Sequence, residues 1–500
     1  MREDWIDVSL VKDLNYVKTG VSEFSESKEY YSTGSVKGNS ITSEGVYTYL
    51  DRPSRANRLG YLNDVLQARM KDTDKAILID AKLDQQLFST GFIQIRPNPE
   101  TLSSKYIFHY LKSIIFLNEK DKNCSGSTQS ALNDKSAQNL SIPLAPIPIQ
   151  RAIVSKIEAL FSDLENGIAN LKKAQEQLKI YRQAVLKKAF EGELTKKWRE
   201  QQTNLLTAEE LLIQIKEERQ KHYEQQLKNW KQAVKDWEGN GKEGRKPSMP
   251  KAQREFYSFS GDELKGLTQP SNGWKWIRLE TVTSKISDGP FGSNLKTEDY
   301  VESGVRVIRL ENIKNRYFDN RNKSFVTDKK YQTISQHTVY PGDIIFSTFI
   351  ADETKVAIVP RSIKYAINKA DCLCVRPLEF ISNKFIEYYL STRQTYLQLI
   401  NKVHGATRPR INSTQLKELP FLICSKEEQH QIVQEIESRL SVCDKVEQSI
   451  SEGLQKAQSL RQSILKKAFE GKLLSEAEEY QCKQEADYEP ASVLLERIKK

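Results

Sequence analysis

Apolar residues recur every seven positions through one stretch of the chain, at Ile157, Leu164, Leu171, Leu178 and Val185. Val154, Phe161, Ile168 and Ala189 fill the other seam position. This a/d spacing predicts a helix that packs lengthwise on another helix. The same pattern returns at Ile436, Cys443, Ile450, Ala457 and Ile464, so the obvious partner for one helix is the other. Gln175 and Arg182 interrupt the first seam, and Glu447 and Arg461 the second. Polar seam residues either fix register or snorkel to solvent. Both stretches end in LKKAFEG, at Leu186 to Gly192 and Leu465 to Gly471, and the separation of these two ends defines a repeat offset. Paired lysines complement the negative helix end and the glycine suits a left-handed cap. About 38 residues at 1.5 Å each make a rod of roughly 57 Å.

Shorter periods frame these rods. AILID (76–80) and GFIQIRP (91–97) alternate like strands, and SKYIFHYLKSII (104–115) reads as one helix. The pattern recurs after Trp274: WKWIRL parallels WIDVSL at 5–10, and Asp343 stands at the repeat offset from Asp64. SNKFIEYYLST (382–392) parallels SSKYIFHYLKS (103–113), and GATRPRIN (405–412) parallels GSTQSALN (126–133). Domain and helix are therefore duplicated together. DGPFGSNLKTEDY (288–300) and VRVIRLENIKNR (305–316) show no counterpart in the first copy, as expected of a duplicated scaffold with two different reading surfaces.

The expected fold class is α+β, with two mixed α/β domains separated by two long antiparallel, coiled-coil-like helices in an internal pseudo-two-fold repeat. The expected division is a first domain at 1–143, a helix with its extension at 144–237, a linker at 238–273, a second domain at 274–420, a second helix at 421–474 and a helical tail at 475–500. The linker EGNGKEGRKPSMPKAQR is rich in Gly, Pro and Lys.

Charge separates the two domains. Residues 1–145 carry 18 Lys/Arg against 18 Asp/Glu, whereas 274–420 carry 23 against 15, most of the net +10. A basic domain suits a polyanion, and the neutral one needs a local cluster. Arg52, Arg55 and Arg58 in RPSRANR supply such a cluster, alongside the reading of a solvated loop. In the second domain Ser293, Asn294 and Lys296 follow a Gly-rich turn, and Arg309 and Asn312 flank a strand; Arg and Asn pair with guanine and adenine edges. Thr407, Arg408 and Arg410, where the domain returns to its helix, fit phosphate contact better than base reading.

Six cysteines without paired spacing fit a reducing cytoplasm, and the CxC at Cys372 and Cys374 lacks a second pair for zinc. The acidic MREDWIDVSL start is not a signal sequence, no apolar run reaches eighteen residues, and a soluble cytoplasmic protein is expected. Asp64, Asp80 and Lys82 loosely imitate a metal-dependent nuclease, but the positions at the repeat offset from Asp80 and Lys82 hold Val359 and Arg361. No GxxxxGK[ST] loop occurs. A helical scaffold or adaptor is the other alternative, against which the basic second domain argues.

Domain, long helix, domain, long helix, with proline-rich entries (IPLAPIPIQRAIV and LPFLICSKEEQHQIV), G-[ST]-T-like segments at Gly126 and Gly405, and shared LKKAFEG ends, resembles the specificity (S) subunits of type I restriction-modification enzymes. The resemblance covers nearly the whole chain. It implies two target-recognition domains that each read half of a split, non-palindromic DNA sequence, with the helices as a ruler between the halves. It implies two methyltransferase (M) subunits docked on the helices, joined by restriction/translocase (R) subunits. S-adenosylmethionine, ATP and magnesium would belong to those partners, leaving no catalytic centre, cofactor or metal here and no membrane contact. The segment after Thr195 departs from the pattern, which leaves its docking surface open.

Overall fold

The computed structural model describes residues 4–38, 40–126, 130–244, 246–250, 259–403 and 409–499. Its contacts divide into two compact units, Met1–Ala174 with Ser449–Lys500, and Gln175–Gln448. This division cuts through both long helices, Ile147–Phe190 and Lys426–Phe469. Each helix has 44 residues, longer than the seam alone predicts, because Pro148 is tolerated in the first turn of the former and Glu427 and Glu428 favour the positive end of the latter. Their C-termini close on Gly192 (φ +75°) and Gly471 (φ +70°), conformations that a Cβ would disfavour.

In the first unit the start of one helix lies beside the end of the other. Ile153, Val154 and Ile157 share a core with Ile464, Leu465 and Phe469, so the two run antiparallel. Leu164 and Leu171 are half-buried in this stretch, while Ile450 and Ile464 are buried. Leu171 packs against Gly453, where an added Cβ would come within 3.2 Å of its side chain. The second unit repeats the arrangement with Val185, Ile436 and Cys443 buried and Leu178 half-buried.

The charged interruptions of the seam form ion pairs. Arg461 meets Glu165 at 2.7 Å in the first unit, and Arg182 meets Asp444 and Glu447 at 2.7 Å in the second. Arg461 stands at the repeat offset from Arg182, and Asp444 at the same offset from Glu165, so each unit uses the same device.

Each unit joins its globular part to the helices through one antiparallel strand pair. Ile6–Ser9 pairs with Ser141–Leu144, and Lys275–Arg278 with Pro420–Ile423, in matching register (Ile6 with Leu144, Lys275 with Ile423). In the first unit a sheet of Phe92–Ile95, Val65–Ala68 and Ala76–Leu78 stands beside one ordered Gly45–Tyr47, Lys28–Tyr31, Leu87–Ser89, Ala56–Leu59. The second unit has Thr283–Ser287, Cys372–Pro377, Ile344–Ser347 and Val356–Ile358 in one sheet. Its other sheet has Tyr300–Val301, Ser324–Val326, Val305–Ile308, Ala366–Asn368 and Thr338–Val339. Each larger sheet contains a parallel pair, Lys28–Tyr31 with Leu87–Ser89 and Val305–Ile308 with Ala366–Asn368.

Two expectations are corrected. VRVIRL does have a structural counterpart, the strand KEYY at Lys28–Tyr31; the pairing is kept while the side chains are not, which hid it from sequence comparison. The single helix expected at 104–115 is two, Ser104–Leu111 and Ile114–Lys122, because the Ser113 hydroxyl accepts from Phe116 N and caps a new start.

The extension after the first long helix and the tail after the second dock in equivalent ways. Ala208 N donates to Gly273 O at 2.9 Å in the second unit, and Ala491 N to Asp4 O at 3.0 Å in the first. Beyond Ile215, the helix Ala208–Gly239 is mostly exposed. Among the described residues, no helix is long and apolar enough to cross a membrane.

One buried group is expected to make the stability of the first unit depend on pH. His109, 7% exposed and set against Phe108 and Phe161, has its pKa lowered to about 4 by burial. The folded state binds the proton less readily than the unfolded chain, whose value is near 6.5. This contribution is intact above about pH 6.5 and is lost as pH falls towards 4. Tyr388 stands at the equivalent place, so His109→Tyr is the natural control. Urea unfolding is expected to show the wild type losing about 2 kcal/mol more than this variant between pH 7 and pH 5; equal losses would rule the histidine out.

Candidate nucleic-acid interface

Turns and short segments at the ends of the sheets carry the candidate DNA residues, and a frame retained in both units holds them. Asp64 accepts Arg96 Nε and Nη2, both at 2.8 Å, and Tyr61 N at 3.0 Å, while Arg96 stacks over the Tyr61 ring. Asp343 accepts Arg376 Nε at 2.8 Å, Arg376 Nη2 at 2.7 Å and Tyr340 N at 2.8 Å, with Arg376 over Tyr340. The turn between tyrosine and aspartate needs a left-handed residue, supplied by Asn63 (φ +70°) in one unit and Gly342 (φ +89°) in the other.

Other ties recur. Gln150 accepts from Ser103 N and donates to Ala145 O, as Gln429 does with Ser382 N and Cys424 O. Tyr110 donates to Ser141 O and Tyr389 to Pro420 O. Phe469 packs on Tyr106 and Tyr110, and Phe190 on Phe385 and Tyr389, with centroids 5.0–5.2 Å apart. These buried groups fix the backbone and offer nothing to a ligand.

The three arginines of RPSRANR separate. Arg55 is exposed. Arg52 is pinned within its own loop, donating to Ala56 O and Tyr49 O and lying 3.9 Å over the Tyr49 ring. Arg58 is a correction: it is 1% exposed, donates to Val17 O at 2.8 Å, and leaves the interface. Burial pushes its pKa down. It sits in the strand Ala56–Leu59, whose alternation turns Ala56 and Arg58 inward together.

In the second unit Asn294 and Lys296 are exposed, the latter 3.2 Å from Glu298; the Ser293 side chain lies outside the described residues, as do Gly405, Thr407 and Arg408. Arg309 is partly exposed, 3.4 Å from Ser324 Oγ and 3.5 Å from Glu311, with its guanidinium on the Tyr300 ring that Lys369 also faces. Asn312 is the second correction. It is 1% exposed and its amide is spent on Arg309 N, Asp319 O and Asn322 O, closing a turn rather than facing a base. Arg410 is exposed, stacked 4.5 Å over Phe349 and bonded to Asp371 at 3.3 Å.

Sequence reasoning missed Phe349, Lys369 and Asp371. Phe349 was within reach, a short step after the recognised Asp343. Asp371 was not, because one added residue between Asp343 and Asp371 shifts the repeat offset by one. The nuclease-like residues have local duties: Asp64 is bridged to Arg96, and Asp80 accepts from Lys82 N and Leu83 N. Cys372 and Cys374 are buried, with the Cys374 thiol pushed up to about 12 by burial. Among the described residues no group of three or more His, Cys, Asp or Glu converges on a metal site.

The model of the type I restriction modification DNA specificity domain matches residues 15–173 and 273–456, once on each half of the duplication. The chain belongs to this specificity family. It is 25% identical over 415 residues to the type I restriction enzyme EcoDI specificity subunit of Escherichia coli, covering 80% of this chain and 77% of that one. With the StySPI specificity subunit of Salmonella potsdam it shares 23% over 415 residues, covering 81% and 73%. Among solved structures, the HsdS subunit from Thermoanaerobacter tengcongensis matches with a TM-score of 0.52 at 18% identity, covering 95% of this chain and 98% of that one. A chain from a study of complex assembly and conformational transition of the type I R-M system matches with a TM-score of 0.65 at 20% identity, covering 94% and 98%. The protein is thus a specificity subunit with the two-domain, two-helix fold of its family.

Proposed function

We propose that this specificity subunit reads a bipartite, non-palindromic duplex sequence, one half with each unit, and carries no catalytic centre of its own. The observation behind this reading is the contrast within the duplication: Asp64 and Asp343 with their arginines, Gln150 and Gln429, and Tyr110 and Tyr389 are kept, while the exposed residues between them change. Two copies of one frame with unlike surfaces suit the two ends of an asymmetric target.

The long helices are the proposed docking place for two methyltransferase subunits, joined by restriction/translocase subunits. Ile180, Tyr181, Val442, Val446 and Leu460 are apolar residues exposed along them, which supports a partner surface. S-adenosylmethionine, ATP and magnesium are proposed to reside in those partners, and the assembly to work in the cytoplasm.

The test is sequencing of methylated bases in DNA from cells carrying this chain with its partner subunits, together with duplex binding across salt. One split motif is expected, with affinity falling steeply as salt rises because phosphate contacts release counterions. Salt-insensitive binding or methylation without a split motif would overturn the reading.

A further inference from the structure

Two segments meet at the same place in each unit. Met70 bridges Ala131 in the first and Phe349 bridges Arg410 in the second, and both members of one pair stand at the repeat offset from those of the other. The surrounding backbone is anchored identically. Arg69 N donates to Gly91 O and Leu132 N to Arg69 O; correspondingly, Thr348 N donates to Asp371 O and Ile411 N to Thr348 O. Asn133 and Asn412 then cap the following short helices. Gly91, Met70 and Ala131 therefore occupy the positions of Asp371, Phe349 and Arg410. All three side chains change together while these backbone hydrogen bonds are kept, and of the Gly91/Asp371 pair Asp371 alone is left-handed.

In the second unit the three form one device. The Arg410 guanidinium lies 4.5 Å from the Phe349 ring centroid, and its Nη1 donates to Asp371 Oδ1 at 3.3 Å. Asp371 is itself fixed: its Oδ1 accepts from Thr348 Oγ1, its N donates to Asp288 Oδ1 at 3.0 Å, and its backbone is left-handed at φ +70°. The Arg410 side chain remains 44% exposed. A phosphate contact can be made by any cation within reach, although a guanidinium also meets phosphate bidentately. A guanidinium stacked on a ring and held by a carboxylate has its plane and one edge set in advance, which is what bidentate recognition of a base edge requires.

We infer that Arg410, oriented by Phe349 and Asp371, is a specificity-determining residue of the second unit and reads a guanine through O6 and N7. Met70 and Ala131 of the first unit present an apolar surface at the same place, so the two halves differ there in chemistry as well as sequence. Phe349 and Asp371 are positioning residues. The assignment rests on the proposed reading of duplex DNA and narrows it to one base pair in one half.

Arg410→Lys keeps the charge and removes the fork, and Arg410→Ala removes both. Methylated bases are sequenced in cells carrying each full-length variant with its partner subunits. The wild type is expected to require G·C at one position of one half-site, and both variants to relax that position alone by about 10-fold or more, leaving the other half-site intact. An unaltered motif, or methylation falling evenly at all sites as for a lost phosphate contact, overturns the inference. A wild type that gives no split motif instead overturns the reading on which it rests.

Discussion

Replacing Asp343 with alanine is expected to destabilise the second unit by about 3–5 kcal/mol. The carboxylate is 5% exposed and accepts two guanidinium bonds from Arg376 and one from Tyr340 N. Removing it strands a half-buried cation, which keeps a 3.3 Å bond to Thr338 O and the Tyr340 ring. It also frees a backbone N–H at a tight turn. Truncating one partner of a buried pair costs far more than replacing both. Asp343→Ala combined with Arg376→Met is therefore expected to recover part of the loss. Trp274 and Trp276 are buried in this unit's core, so fluorescence-monitored urea unfolding of the full chain reports on it. A cost below about 1 kcal/mol would mean that the pair is not what holds this turn.

The same pair shows what is legible in the sequence. Asp64 and Asp343 stand at the offset of the LKKAFEG ends and are recognisable as twins, whereas Arg96 and Arg376 are separated by one position more and are not. Buried frame residues persist because replacing one strands its partner, so duplication leaves a readable trace in them. Surface residues carry no such cost, and the trace fades where the reading differs. The strand Val305–Ile308 is buried and still looks unmatched in sequence, although it pairs as Lys28–Tyr31 does, because backbone pairing does not depend on which side chains the strand carries.

Residue type also misleads in places. Arg58 and Asn312 are side chains of the kind that pair with DNA, but strand alternation turns the first inward and a closed turn consumes the second. Arg182 and Arg461 look like breaks in a hydrophobic seam. Their partners, Asp444 and Glu165, lie on the opposite helix, where the spacing along one stretch of sequence gives no hint of them.

Exchanging residues 274–420 for the corresponding segment of another family member is expected to replace one half of the methylated motif and leave the other unchanged. The segment is suited to exchange because it enters and leaves through one sheet, with Arg278 opposite Pro420. It docks on the rest of the unit through a shared apolar core and polar ties. Phe190 packs on Phe385 and Tyr389, and Arg219 donates to the carbonyls of Glu280 and Thr281. A donor with aromatic residues at the positions of Phe385 and Tyr389 should therefore fold in place, and one without them should lose the unit. The frame ties of the first unit, Asp64 with Arg96 and Gln150 with Ser103, lie wholly outside the exchanged residues and have no reason to respond. Sequencing methylated bases in cells with the exchanged chain separates the outcomes. A new half-site beside the old one supports independent reading by each unit. A change in both halves would mean that the two surfaces read one continuous target together, and the duplicated frame would then need another explanation.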